Sequence, residues 1–179
     1  MRRFAAVVLA IFADAPHRVI FVERAAHLRD HPGQIGLPGG SVDPGDGDRR
    51  EVTALRELHE EIGVPPAAVT LVARLPDIAQ RVNNFIVTPF VGVLAPATKL
   101  TFDETETAAL FTVPLAEILT PGAVHADIEL VGDRRVDTFV FDFGGRHVWG
   151  LTGHILRSFV DAWHEPDSGI QAALEAALL

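Results

Sequence analysis

Three carboxylates carry the first chemical signal in this sequence. In Arg56-Glu57-Leu58-His59-Glu60-Glu61-Ile62-Gly63-Val64 the acids Glu57, Glu60 and Glu61 stand at i, i+3 and i+4, a spacing that puts them within about 100° of one another on a helix. Val52, Leu55, Leu58 and Ile62 fall on the opposite arc, so one face packs into a core while the other presents the acids. Like charges this close repel and destabilise a helix unless something neutralises them. Hard divalent cations such as Mg²⁺ or Mn²⁺, which prefer oxygen ligands, do so. The competing reading is a solvated acidic face balanced by Arg49, Arg50 and Arg56, and for the triplet alone it is the commoner one. Upstream, Leu37-Pro38-Gly39-Gly40 shifts the balance, because glycines ahead of such a helix let the backbone approach a bound group and the helix N-terminus favours anions.

Together these residues resemble the Nudix box, the loop–helix–loop signature of hydrolases that split nucleoside diphosphates linked to another moiety. The second half of that pattern, Arg-Glu-hydrophobic-x-Glu-Glu-x-Gly-hydrophobic, is filled completely by residues 56–64. The first half departs from it. Counting forward from Gly40 reaches Asp46, counting back from Arg56 reaches Asp48, and aspartate replaces the usual glutamate. A second stretch is similar to the extra motif of coenzyme A pyrophosphatases: Ile20-Phe21-Val22-Glu23-Arg24-Ala25, then Arg29, Gly33 and Leu37-Pro38-Gly39-Gly40, each separated by three residues. Val22 stands where threonine is usual and Leu37 where phenylalanine is. Val87 to Gly92, Phe111 to Leu115 and His147 to Thr152 resemble further segments of the same subfamily, so the likeness covers most of the chain.

The resemblance implies metal-dependent hydrolysis of a phosphoanhydride, with coenzyme A or acyl-coenzyme A as first choice and 3′,5′-ADP and 4′-phosphopantetheine as products. Glu57, Glu60 and Glu61 would hold Mg²⁺ or Mn²⁺, and Arg56 would orient a carboxylate. Glu60, Glu61 or Glu106 is the candidate general base. Arg24, Arg29, His31, Gln34, Gly39 and Gly40 are the candidate substrate-binding residues, since arginine forks suit phosphate oxygens. For either arginine alone, a surface charge or a pair with Glu23 or Asp30 is an equal reading. Among eight histidines His31 identifies nothing by type, and His59 is expected to border the core. Two other functions stay open: a Nudix hydrolase of ADP-ribose or a dinucleotide, and a Nudix fold retired into a ligand-sensing module. Such modules tend to lose carboxylates, whereas Arg56, Glu57, Glu60 and Glu61 are all present.

The elements that must position these groups follow from patterning. The chain's 179 residues suit one domain, expected as a single Nudix domain over 1–164 followed by a helical tail over 165–179. Ala5 to Phe12 reads as a strand buried on both faces, paired with Val19 to Val22 across Asp14-Ala15-Pro16-His17. Met1-Arg2-Arg3 ahead of it imitates a leader, but Pro16 after the apparent cleavage site favours the hairpin. Residues 25–42 read as a loop, and Asp48 as the N-cap of the acidic helix with Glu51 completing a capping box. Strands are expected at 69–75, 85–94, 127–131 and 135–141, the last two joined by Gly132-Asp133. A short helix at 114–119, an amphipathic helix at 150–163 and an alanine-rich terminal helix complete an α+β or three-layer α/β/α arrangement with a mixed sheet.

Composition bounds the partners. The formal charge of −9 excludes a protein that grips nucleic acid through a general basic surface. No cysteine is present, which excludes disulfides, thiolate metal sites and a thiol nucleophile. No apolar run approaches the ~20 residues of a membrane span, so no membrane partner is expected, and the lack of a convincing leader makes a cytoplasmic location the expectation. Residues 41–63 hold seven acids and three bases, whereas residues 1–40 hold five arginines and three acids. An acidic protein can thereby take a small anionic nucleoside diphosphate where metal and arginines act locally.

Overall fold

The computed structural model describes residues 2–29, 31–80, 84–131 and 134–179. Its strands are β1 (Arg3–Phe12), β2 (Arg18–Arg24), β3 (Ile35–Gly36), β4 (Gly39–Ser41), β5 (Val69–Arg74), β6 (Ile78–Gln80), β7 (Phe85–Leu94), β8 (Thr107–Pro114), β9 (Val124–Val131), β10 (Arg134–Phe143) and β11 (Arg146–Val148). Its helices are α1 (Arg50–Ile62), α2 (Leu115–Ile118), α3 (Gly150–His164) and α4 (Ile170–Leu178). Among the described residues, β1 to β8 form one mixed sheet and β9 to β11 a second, antiparallel one.

β1 is the axis of the large sheet. It runs parallel to β7 along its whole length, from Arg3 opposite Phe85 to Phe12 opposite Leu94. Alternation then splits its side chains between two cores. Ala6, Val8 and Ala10 pack with Ala54, Leu58 and Ile62 of α1, while Leu9 and Ile11 join Ile155, Leu156 and Phe159 of α3. All these side chains are buried, and at roughly 1.5–3 kcal/mol for each large one this burial fixes a helix layer on each face. The expected α/β/α sandwich is thus present. α4 adds Ile170 and Leu174 to the α3 side.

The other edge of β1 is shared. Near its end Ile11 pairs with Val19 of β2, but at its start Ala5, Ala6 and Val7 pair with Ser41, Gly40 and Gly39 of β4. β2 likewise gives one edge to β8 along its length, and on the other its Val22 and Glu23 pair with Gly36 and Ile35 of β3. β1 and β2 therefore splay apart, and the segment expected as a plain loop wedges two short strands into the gap.

Several boundaries differ from expectation. α1 starts at Arg50 with Arg49 as its N-cap and without a side-chain cap, so Asp48 does not cap it. Its fully buried stripe is Thr53, Ala54, Leu58 and Ile62, with Val52 and Leu55 only partly covered, and His59 is exposed rather than bordering the core. β6, β8 and β11 carry no strong alternation and were not expected. The Gly132-Asp133 turn lies outside the described residues. No helix among the described residues is long and apolar enough to cross a membrane.

Candidate active site

The diglycine is where the acidic helix meets the sheet. Gly39 and Gly40 are bolted to β1, flanked by the Val8 N–H donating to the Pro38 carbonyl and the Val42 N–H donating to that of Phe4 (both 2.9 Å). At Gly39 (φ +152°) a Cβ would meet the Ala6 carbonyl and lie 2.5 Å from the Val7 Cα, so only glycine fits. At Gly40 a Cβ would occupy the place of the Glu57 carboxylate, 2.5 Å from its Cδ. The Gly39 N–H donates to Glu61 Oε2 at 2.9 Å. Two bare backbone positions thus receive two carboxylates one helical turn apart.

Arg56 organises the remaining acids. Its Nε donates to Asp46 Oδ1 (3.0 Å) and its Nη2 to Asp46 Oδ2 (2.8 Å) and the Ser41 carbonyl (2.9 Å). Its Nη1 bridges Glu57 Oε1 and Glu60 Oε2, each at 2.9 Å. Asp46 is buried and also accepts from the Thr53 hydroxyl and the Asp43 N–H. Of the two aspartates reached by counting, Asp46 meets Arg56, while Asp48 lies in the exposed stretch 47–49 that follows it.

The electrostatics follow from burial and pairing. Asp46 is held well below the ordinary carboxylate range, chiefly by its bonds to Arg56, and Arg56 is raised in return. Glu57 is pushed up by burial against the pull of Arg56. Glu61 is pushed up to about 7, first by burial and then by the nearby charges of Glu57 and Glu106, while the Gly39 N–H and Arg24 oppose the shift. These are carboxylates that a cation would stabilise.

Of the three acids expected to bind metal, Glu57 and Glu61 flank the diglycine, while Glu60 is exposed and drawn to Arg56. Among the described residues no three His, Asp or Glu side chains close on a common point. The donor set still fits a hard cation: Glu57 and Glu61 are partly desolvated oxygen donors with raised pKa values.

Glu61 also lines a cleft of about 700 Å³ that opens where β1 and β2 splay. Arg24, His31, Gln34 and Gly39 line it too. The loop carrying them is closed by the Arg24 N–H on the Gln34 carbonyl (3.0 Å) and by the Gln34 N–H on that of His31 (3.2 Å). Arg29 is exposed and lines no part of the cleft, and Gly40 backs Glu57 instead. Glu106 is exposed ahead of β8, its carbonyl accepting from the Ala25 N–H at 2.9 Å, near enough to Glu61 to act on its charge. Gln80, Asp137, Trp149 and His154 also line the cleft. Sequence reasoning gave them no role, although Trp149 lies within one of the segments noted for its resemblance.

A family model described as the NUDIX domain matches residues 1–132. An Enterobacter sp. (strain 638) protein described as an uncharacterized Nudix hydrolase NudL is 39% identical over 158 residues, 87% of this chain and 80% of that protein. A Citrobacter koseri relative of the same description is 37% identical over 157 residues, with the same coverage. Among solved structures, a MutT/nudix family protein from Enterococcus faecalis aligns with TM-score 0.58 at 17% identity, over 97% of this chain and 68% of that one. An Ap4A hydrolase from C. elegans aligns with TM-score 0.55 at 16% identity, over 65% of this chain and 83% of that one. These structural likenesses concern the fold.

Proposed function

The chain belongs to the Nudix family of hydrolases, and from that premise we propose that it cleaves the diphosphate of coenzyme A or an acyl-coenzyme A, giving 3′,5′-ADP and (acyl-)4′-phosphopantetheine. The observation that carries this reading is the cleft that gathers Arg24, His31 and Gln34 beside Gly39 and Glu61. A cleft of about 700 Å³ accommodates a nucleotide-sized ligand. Arginine, imidazole and amide donors in its wall suit a substrate with several phosphates.

Glu57 and Glu61 would hold Mg²⁺ or Mn²⁺, with Glu60, turned toward Arg56, as the third candidate donor. Such a cation, when bound, screens the diphosphate and lowers the pKa of the attacking water. The chain's own residues do the rest. Arg56 keeps Glu57 and Glu60 on one side of α1 and neutralises buried Asp46. Arg24 and Gln34 orient the phosphates. Water adds to one phosphorus, the bridging P–O bond breaks, and Glu106 takes the water's proton, since Glu60 is bound to Arg56 and Glu61 is a metal donor.

The test compares coenzyme A, acetyl-coenzyme A, ADP-ribose and diadenosine polyphosphates at equal concentration, with Mg²⁺, with Mn²⁺ and with neither, by product masses. Metal-dependent release of 3′,5′-ADP and 4′-phosphopantetheine as the fastest reaction is expected. A clear preference for ADP-ribose or a dinucleotide overturns the substrate assignment.

A further inference from the structure

Trp149 is an exposed aromatic on a rigid mount. It follows buried Val148 at the end of β11, its carbonyl accepts from the Gly153 N–H at 3.3 Å, and the next residue's N–H donates to the buried Thr138 hydroxyl at 3.2 Å. Yet the residue is 37% exposed. Among the described residues the indole makes no ring stacking, cation–π contact or hydrogen bond. Other large aromatics of the chain do find such partners: Phe21 stacks on Phe111 at 5.4 Å, and Phe139 meets His154 edge-on at 5.1 Å.

Trp149 lines the same cleft as Glu61 and Arg24. Ile78 and Gln80 of β6 and Val136 and Asp137 of β10 line it as well. The cleft therefore combines a polar and charged set from the β2–β4 region and α1 with a set from β6, β10 and the start of α3 that joins apolar and aromatic surface to an amide and a carboxylate. Gly36 and Thr152 bring the two sets together, a Cβ on Gly36 lying 4.0 Å from the Thr152 hydroxyl. A flat heterocycle with ring nitrogens and an amino group matches the second set. An indole face gives it stacking area at low entropic cost, and an amide and a carboxylate read its edge. A flexible pantetheine chain has amides but no face to stack.

We infer that Trp149 is the stacking platform for the nucleobase of the substrate, and hence a specificity-determining residue of this cleft. The inference rests on the cleft being the substrate site but not on coenzyme A being the substrate, because ADP-ribose and dinucleotides also present a base.

The chain has two tryptophans, so a Trp163→Phe protein reports on Trp149 alone. Its fluorescence is titrated in Mg²⁺ with AMP, with adenosine 3′,5′-bisphosphate and with base-free 4′-phosphopantetheine, none of which has an anhydride to hydrolyse. Saturable quenching by the two adenine nucleotides and none by 4′-phosphopantetheine is expected. In the otherwise unaltered protein, Trp149→Leu should raise KM for the best substrate roughly ten- to a hundredfold with little change in kcat, and Trp149→Phe should restore most of the affinity. Absent quenching by the nucleotides, equal quenching by 4′-phosphopantetheine, or an unchanged KM in Trp149→Leu overturns the assignment. Failure of the coenzyme A reading would show in the substrate comparison and leave the AMP titration intact.

Discussion

Arg56 and Asp46 are joined by two parallel hydrogen bonds, Nε to Oδ1 at 3.0 Å and Nη2 to Oδ2 at 2.8 Å. This pair ties the loop before α1 to the middle of that helix. The carboxylate is buried and the guanidinium has no slack, because its third nitrogen already bridges Glu57 and Glu60. Replacing Arg56 by alanine strands a buried charge, at a cost of about 3–5 kcal/mol. Arg56→Ala should therefore lower Tm sharply, and Asp46→Asn added to it should recover a large part of the loss. Additive losses in denaturant unfolding would refute the coupling.

Asp46 also sets the acid limb of stability. Its folded pKa lies below the ordinary 3.8, so its contribution is present above about pH 4 and is lost as pH falls below that value. Asp46→Asn should flatten the decline of Tm between pH 4 and 3 relative to the parent protein, while lowering Tm at pH 7.

Glu61 runs the other way. Its folded pKa is raised to about 7 from 4.5. The folded state then binds more protons than the unfolded one between those values, so this group weakens the metal-free fold as pH rises from about 4.5 to 7. In EDTA, Glu61→Gln should stabilise the protein at pH 8 by up to about 3 kcal/mol, with the gain vanishing near pH 4.5. The same variant should lose turnover by orders of magnitude with Mg²⁺ or Mn²⁺. Unchanged activity would remove Glu61 from the metal site.

Metal affinity should carry that proton. A cation that binds the Glu61 carboxylate competes with its proton, so Mn²⁺ affinity measured by calorimetry should rise toward tenfold per pH unit below 7 and level off above it. Glu106→Gln offers the contrast: kcat should fall at least a hundredfold while Mn²⁺ affinity changes only by the few-fold expected from losing one neighbouring charge. A loss of both together would make Glu106 a metal ligand instead.

The two glycines should separate folding from catalysis. Gly39→Ala drives a Cβ into the β1 backbone at a positive φ and should destabilise the whole domain. Gly40→Ala meets first the flexible end of the Glu57 side chain, so the protein should fold with nearly native circular dichroism yet lose metal-dependent hydrolysis. A fully active Gly40→Ala protein would show that the Glu57 position is immaterial.

How much of this was legible beforehand depends on the range of the interaction that decides it. β1, β7 and α3 are set by local alternation or helical stripes, and the sequence shows their limits to within about two residues. The acidic triplet and the diglycine are dense local patterns, which is why Glu61 and Gly39, joined at the cleft, stand out in the sequence. β3 and β4 escaped because they are two and three residues long and exist only where β1 and β2 diverge. Asp46 could not be chosen over Asp48 by counting, since a fold-closing contact is a matter of reach rather than sequence distance. Trp149 and Asp137 enter the cleft from other elements, through packing that no window of sequence displays.

The clasp between Asp46 and Arg56 leaves residues 47–49 exposed and relieved of any duty to measure distance. Gly47 there has open space around it, with φ at +63°. Since lengthening a surface loop costs only about 0.6 kcal/mol per doubling, a short reporter peptide placed between Gly47 and Asp48 should be carried by a working enzyme. The bend ahead of α1 is thus a natural attachment point for a label beside the chemistry.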